Sequence, residues 1–146
     1  MIKRLLIHSI LPTFFGGIIY IFFRDDSIYL IKLLKKNELF KYLQPLRSSL
    51  YTNNDIIPNW MCFSLPDGLW IYSLISSYFI VLKNKVEILF WIIISIGLSV
   101  GVEFLQKSNL HKGTFDWVDI LFYVLGIIFS VFINLNKLQK NEEKSI

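Results

Sequence analysis

The sequence predicts an all-α, polytopic membrane protein: a four-helix transmembrane bundle with an interfacial amphipathic helix between spans one and two. Three observations predict it. The 146-residue chain is 54% hydrophobic and 18% charged, with a mean hydropathy of +0.53, outside the range of soluble globular proteins. Four apolar runs, each close to the ~20 residues that cross a bilayer, are separated by polar segments. Between the first two runs, leucines and isoleucines recur at helical spacing among lysines, the pattern of a helix lying in the interface plane. A single transmembrane domain over 1–136 follows, with a charged tail over 137–146 that reads as disordered.

Composition also excludes function classes. The net charge is +4, but the lysines flank apolar runs instead of forming a stripe on a folded surface. Membrane lipids are therefore the expected partner, and nucleic acid is not. The single cysteine, Cys62, rules out an intrachain disulfide framework and a cysteine-based zinc site. It reads as a small apolar filler or an exposed spectator just outside the second span, and not as a catalytic thiol. Alanine is absent, so glycine and serine must supply the small side chains where helices approach closely.

The first span is expected over 5–23, after the basic start Lys3-Arg4. It is too long for a signal-peptide core and ends in Arg24-Asp25-Asp26 as an anchored helix does. Pro12 and the pair Gly16-Gly17 predict a bend near its middle. His8, with no acid beside it in sequence, reads as a structural or headgroup-level residue more than a proton relay.

The stretch 24–64 is the amphipathic loop. Ile28, Ile31, Leu34, Leu39, Leu43 and Leu46 mark one helical face, with Lys32, Lys35, Lys36, Lys41 and Arg47 on the remainder and a break expected at Pro45. A lipid-surface anchor and a gating lid are the two readings of it. Asn53-Asn54-Asp55 and Pro58 then form a loop.

The second span is expected over 65–82, opened by Pro66 as a first helical residue and by Asp67 at the positive end of the helix dipole. A short turn at Lys83-Asn84-Lys85 makes it an antiparallel neighbour of the third span, 88–106. The fourth covers 117–135. Weighing the first helix and the short loops by the positive-inside rule places the N-terminus in the cytoplasm.

Counting spans brings Asp67, Glu103, Gln106, Asp116 and Asp119 to one membrane boundary, whichever way the chain is inserted. An acidic residue within a spanning helix is costly and marks a candidate functional site. Glu103 is the most telling of the group, because it sits near a helix C-terminus, where negative charge is disfavoured. Lys107, Lys112, a bound metal or a proton could compensate it. On the fourth helix Asp116, Asp119, Tyr123, Gly126, Ser130 and Asn134 share one arc, a polar stripe that should face the interior. Asp116 has a competing role as an N-cap. Gly97 and Gly101 form a GxxxG surface on the third helix, and with Gly126 they are the expected helix-packing glycines.

The pattern Glu103-x-x-Gln106, Gly113, Asp116-x-x-Asp119 and Gly126, with Asp67 in the preceding helix, resembles the VanZ-like family of small membrane proteins. The resemblance covers about 65–130. The chain departs from that family at Thr114, where an Arg is usual after the loop Gly, at Tyr123 in place of an Asn, and at Gly68 and Trp70 in place of a Lys and a His. The resemblance implies a multi-pass protein of the bacterial plasma membrane and cell envelope, in a family whose founding members are associated with resistance to glycopeptide antibiotics.

Three functions are expected from these residues. The first is a non-enzymatic binding or accessory protein, its acidic cluster at the outer membrane boundary either a buried polar clamp that holds the bundle or a site for a lipid-linked envelope precursor or another membrane protein. The second is a metal-dependent enzyme acting on a phosphate-bearing lipid, with the carboxylates on a divalent cation and His111 or Lys112 near the phosphate. The third is a proton-coupled transporter subunit. No G-x-S-x-G, H-E-x-x-H or phosphate-cradling glycine loop occurs, which weighs toward the first.

Overall fold

The computed structural model describes residues 1–24, 26, 29–52, 57–108, 110 and 114–142. Among these the chain is helical, without strands. The helices are α1 (Ile2–Phe23), α2 (Tyr29–Lys35), α3 (Glu38–Thr52), α4 (Asn59–Val81), α5 (Lys85–Lys107) and α6 (Trp117–Glu142). Helices α1 and α5, and α6 over Trp117–Asn134, are long and apolar enough to cross a membrane. The chain thus has the character of a membrane protein.

Helix α4 is not among those three, because Asp67, Pro66 and a run of serines dilute its apolar character. It is nevertheless the helix about which the others gather, packing against α1 on one side and α6 on another. Its Ile71, Ile75 and Phe79 form the apolar core with Ile88 and Ile92 of α5. Ser64, Ser73 and Ser76 are buried on the same helix. A helix lined by protein on several faces can carry such side chains, since neighbours rather than lipid satisfy them.

Helix α4 also begins earlier than the sequence suggests. It starts at Asn59, with Pro58 as its N-cap residue, so Pro66 and Asp67 lie inside the helix and not at its first turn. The dipole therefore does not account for Asp67. Pro66 removes one backbone donor and is tolerated where it is fully buried among neighbouring side chains.

Helices α4 and α6 approach each other closely at two glycines. A Cβ at Gly126 would stand 2.5 Å from the Gly68 carbonyl oxygen, and one at Gly68 would stand 3.0 Å from that of Phe122. By contrast, a Cβ at Gly97 or Gly101 would meet nothing within 4 Å. The GxxxG face of α5 therefore makes no close helix contact among the described residues, and the glycine crossing lies at Gly68 and Gly126. Helix α5 meets α4 mainly through larger side chains, including Tyr78 and Ser95, whose hydroxyls lie 3.0 Å apart.

Helix α1 contains one π-helical turn, Leu6–Ile10, just before Pro12. The irregularity expected at the proline is thus displaced toward the N-terminus. Pro12 has no N–H to donate one turn back, and a wider turn accommodates the missing bond. Side chains take up the slack: the Ser9 carbonyl accepts from Thr13 Oγ1 at 2.8 Å and from Ser73 Oγ at 2.5 Å.

The amphipathic stretch forms two helices, and the break falls at Lys36-Asn37 instead of Pro45, which lies within α3. Asn37 closes the turn, its N–H donating to the Leu34 carbonyl at 2.9 Å and its carbonyl accepting from Phe40 at 3.0 Å. Ile31, Phe40 and Arg47 are buried on the inward side of this pair. Arg47, expected on the polar face, instead caps the end of α1. Its Nε donates to the Ile21 carbonyl at 2.9 Å, and its two terminal nitrogens reach the Arg24 carbonyl and Asp26. At its far end, α6 continues to Glu142, past 137 where the disordered tail is expected, while 143–146 lie outside the described residues.

Candidate functional site

The termination of α1 sets the first element of the site. Phe23 is its last helical residue, and Arg24 turns to an extended conformation, its N–H donating to the Tyr20 carbonyl at 3.1 Å. That turn sends the guanidinium back toward α4. It lies 5.2 Å from the Tyr20 ring centroid and 5.3 Å from that of Phe63, donates to the Phe63 carbonyl at 3.0 Å, and stands 3.6 Å from the Asp67 carboxylate. Stacking against rings and pairing with a carboxylate is the behaviour that distinguishes arginine from lysine.

Glu103 lies in the last turns of α5 and is only 3% exposed. Asp119 enters from the first turn of α6, with Tyr123 one turn further along. Asp67, Glu103, Asp119, Tyr123 and Arg24 lie within electrostatic reach of one another, and Glu103 faces the backbone N–H of Asp116. Two carboxylate oxygens in this group, Glu103 Oε2 and Asp119 Oδ1, are buried and have no hydrogen-bond partner among the described residues. A buried acceptor without a donor costs on the order of 1–3 kcal/mol, and more when charged. The arrangement therefore favours an incoming group that brings donors.

Of the sequence-predicted residues, Asp67, Glu103 and Asp119 are brought together. Asp116 is an exposed N-cap, its Oδ1 accepting from the Val118 N–H at 2.9 Å. Gln106 is half-buried on the last turn of α5, and no hydrogen bond from it to the acidic group is found among the described residues. Lys107 does not compensate Glu103; its Nζ lies over the rings of Phe115 and Trp117, at 5.2 and 5.7 Å from their centroids. His111 and Lys112 lie outside the described residues. Cys62 is 1% exposed inside α4, so it is a packed core thiol and not an exposed one.

Sequence reasoning missed Arg24 as a site residue. It closes an apolar run and reads as an anchor, and only the packing of α1 on α4 reveals its partner. The expected polar stripe faces inward at Gly126, Ser130 and Asn134, all buried, but not at Asp116, which is exposed; Ser130 Oγ lies 2.9 Å from Ser76 Oγ. Arg4 donates to Asn134 at 2.9 Å. His8 has a partner that its sequence neighbourhood does not show, the Tyr72 hydroxyl at 2.7 Å from its Nδ1. These bonds lie toward the opposite end of the helices from Glu103 and knit α1, α4 and α6 together.

Among the described residues no group of three or more His, Cys, Asp or Glu side chains is arranged to hold a metal ion. Asp67 faces an arginine, and the acids come from three separate helices. Comparison of the chain with protein-family models, with curated proteins and with solved structures finds no match.

Proposed function

We propose that the chain is a VanZ-like, non-enzymatic binding protein of the bacterial plasma membrane, a four-span bundle with a cytoplasmic N-terminus. In this reading Asp67, Glu103 and Asp119, with Arg24 and Tyr123, receive the donor-rich headgroup of a lipid-linked envelope precursor. The observation that carries it is the pair of buried oxygens, Glu103 Oε2 and Asp119 Oδ1, that lack a donor among the described residues. Hydroxyl or ammonium groups of a headgroup would satisfy them.

Supporting the fourth crossing, the 23 residues of α4 rise about 1.5 Å each, enough for a hydrocarbon core of ~30 Å. Thr114 departs from the family pattern, which usually has a cation there, and in this chain the cation beside Asp67 is Arg24, at 3.6 Å. Gly68 and Trp70, two other departures, serve packing: Gly68 admits Phe122, and Trp70 lies where a Cβ on Gly16 would approach its Nε1 to 2.7 Å. A role in resistance to glycopeptide antibiotics follows only from the family likeness and is tested by expressing the chain in a susceptible strain.

The binding claim is tested by purifying the full chain from bacterial membranes in mild detergent and identifying retained lipid by native mass spectrometry. Wild type should retain a lipid with a hydroxyl- or amine-bearing headgroup above its bulk abundance. Glu103→Gln, which keeps an acceptor and the shape of a protonated carboxyl, should retain it too. Glu103→Leu and Asp119→Leu should accumulate in the membrane but lose the lipid. Retention of only bulk lipid by wild type, or equal retention by Asp119→Leu, contradicts the proposal. Catalysis on a phosphate-bearing lipid would instead require that Glu103→Gln and Asp119→Asn lose activity, and that chelators mimic them.

A further inference from the structure

We infer that the outward face of the α2–α3 pair is a docking surface for anionic lipid headgroups of the membrane leaflet that borders the C-terminal end of α1. The depth of this pair is fixed by one bond. Arg47 Nε donates to the carbonyl of Ile21 at 2.9 Å, and Ile21 lies in the last turn of the membrane-spanning candidate Ile2–Phe23. A helix bonded to that turn lies at the level where hydrocarbon gives way to headgroups, not in bulk water.

The two faces of the pair then divide their work. Ile31 at 0%, Phe40 at 4% and Arg47 at 6% exposure are turned inward. Leu30, Leu33, Leu43 and Leu46 are all at least 40% exposed on the other sides, where no part of the described chain covers them. Among the lysines, Lys35 is paired with Asp26 and Lys41 with Glu38, both at 2.6 Å. Lys32 and Lys36 are exposed, and no ion pair is found for either among the described residues. Leucines at the acyl boundary with lysines at headgroup level are what an interfacial helix presents to anionic lipid. Lysines near such a surface attract anionic headgroups by roughly fivefold each. The inference does not depend on the acidic site, because none of these outward residues belongs to it.

The test uses the full chain carrying Cys62→Ser and Leu46→Cys, labelled with a small fluorophore and reconstituted into phosphatidylcholine bilayers containing brominated lipid. Brominated phosphatidylglycerol should quench the label severalfold more efficiently than the same fraction of brominated phosphatidylcholine. Lys32→Glu with Lys36→Glu should remove that preference while quenching by brominated phosphatidylcholine persists. Equal quenching by both lipids in the parent protein overturns the inference. So does absence of quenching by either, which would mean that water or another protein covers the surface.

Discussion

Arg24 and Asp67 stand 3.6 Å apart, tying the residue that ends α1 to a carboxylate inside α4. Their side chains are 24% and 17% exposed, so the pair is neither a solvated surface bridge nor fully withdrawn from water. Removing one partner should cost about 2 kcal/mol, between the values for exposed and for buried pairs. Arg24→Gln is expected to lower thermal stability in detergent by that amount. Adding Asp67→Asn should recover most of the loss, because the carboxylate left behind is the source of the penalty. If the double variant is as unstable as the sum of the two single ones, the residues are not coupled.

The glycine crossing makes the second prediction. With the Gly68 carbonyl 2.5 Å from where a Cβ would sit, Gly126→Ala forces α4 and α6 apart and should cost about 2 kcal/mol, as overpacking does. Gly97→Ala and Gly101→Ala meet open space and should be neutral or stabilising by up to ~1 kcal/mol, since alanine is the better helix former. Thermal melts of the three variants decide it. A destabilised Gly97→Ala would show that the GxxxG face is packed after all.

Arg47 makes the third. Arg47→Met keeps the apolar stem but leaves the carbonyls of Ile21 and Arg24 without their donor. Helix α3 should then detach, and a lysine-specific protease should cut at Lys32, Lys36 or Lys41 severalfold faster than in wild type. Unchanged cleavage would mean that the buried face of Ile31 and Phe40 alone holds the pair.

Asp26 gives a pH dependence. Hydrogen bonds from Lys35, then from Arg47, hold its carboxyl below the usual aspartate range. A depressed folded-state value means that its contribution to docking is present above the ordinary aspartate pKa of ~3.9 and is lost only as pH falls through the lower folded value. Carbon-13 titration of the Asp26 carboxyl should therefore give a midpoint below that of a free aspartate, and Arg47→Met should raise it. A midpoint at the ordinary value would rule out the contact with both cations.

The three helices long and apolar enough to cross a membrane are legible in composition and length, and so is the burial of Ser130 and Asn134 on α6, because helical period and the cost of polar groups in lipid both act locally along the chain. What escapes is set by packing between distant segments. Pro66-Asp67 has the chemistry of a helix start, yet Pro58 starts the helix, and nothing local distinguishes the two. Arg24 and Arg47 read as anchor and polar-face residues until α1, α3 and α4 come together. Gly97 and Gly101 match a motif, whereas Gly126 lies on a stripe with buried Ser130 and Asn134, and that company was the better signal for a close contact.

The orientation of the chain is open to a direct experiment with a reporter other than Cys62, which is too buried to label. Thr114 is exposed between α5 and α6. With the N-terminus cytoplasmic and α4 as a fourth crossing, Thr114→Cys in a Cys62→Ser background should react with a membrane-impermeant maleimide in intact cells. Reaction only after permeabilisation would contradict that pairing of orientation and span number.

The most direct measurement of the shared acidic site is cross-linking between Glu103→Cys and Asp119→Cys, introduced together in the Cys62→Ser chain and treated in native membranes with a short thiol-specific cross-linker. The positive control is the pair Tyr78→Cys and Ser95→Cys, whose native hydroxyls are 3.0 Å apart. Cross-linking of both pairs is the predicted result. Cross-linking of the control without the Glu103–Asp119 pair would contradict a common site for these acids.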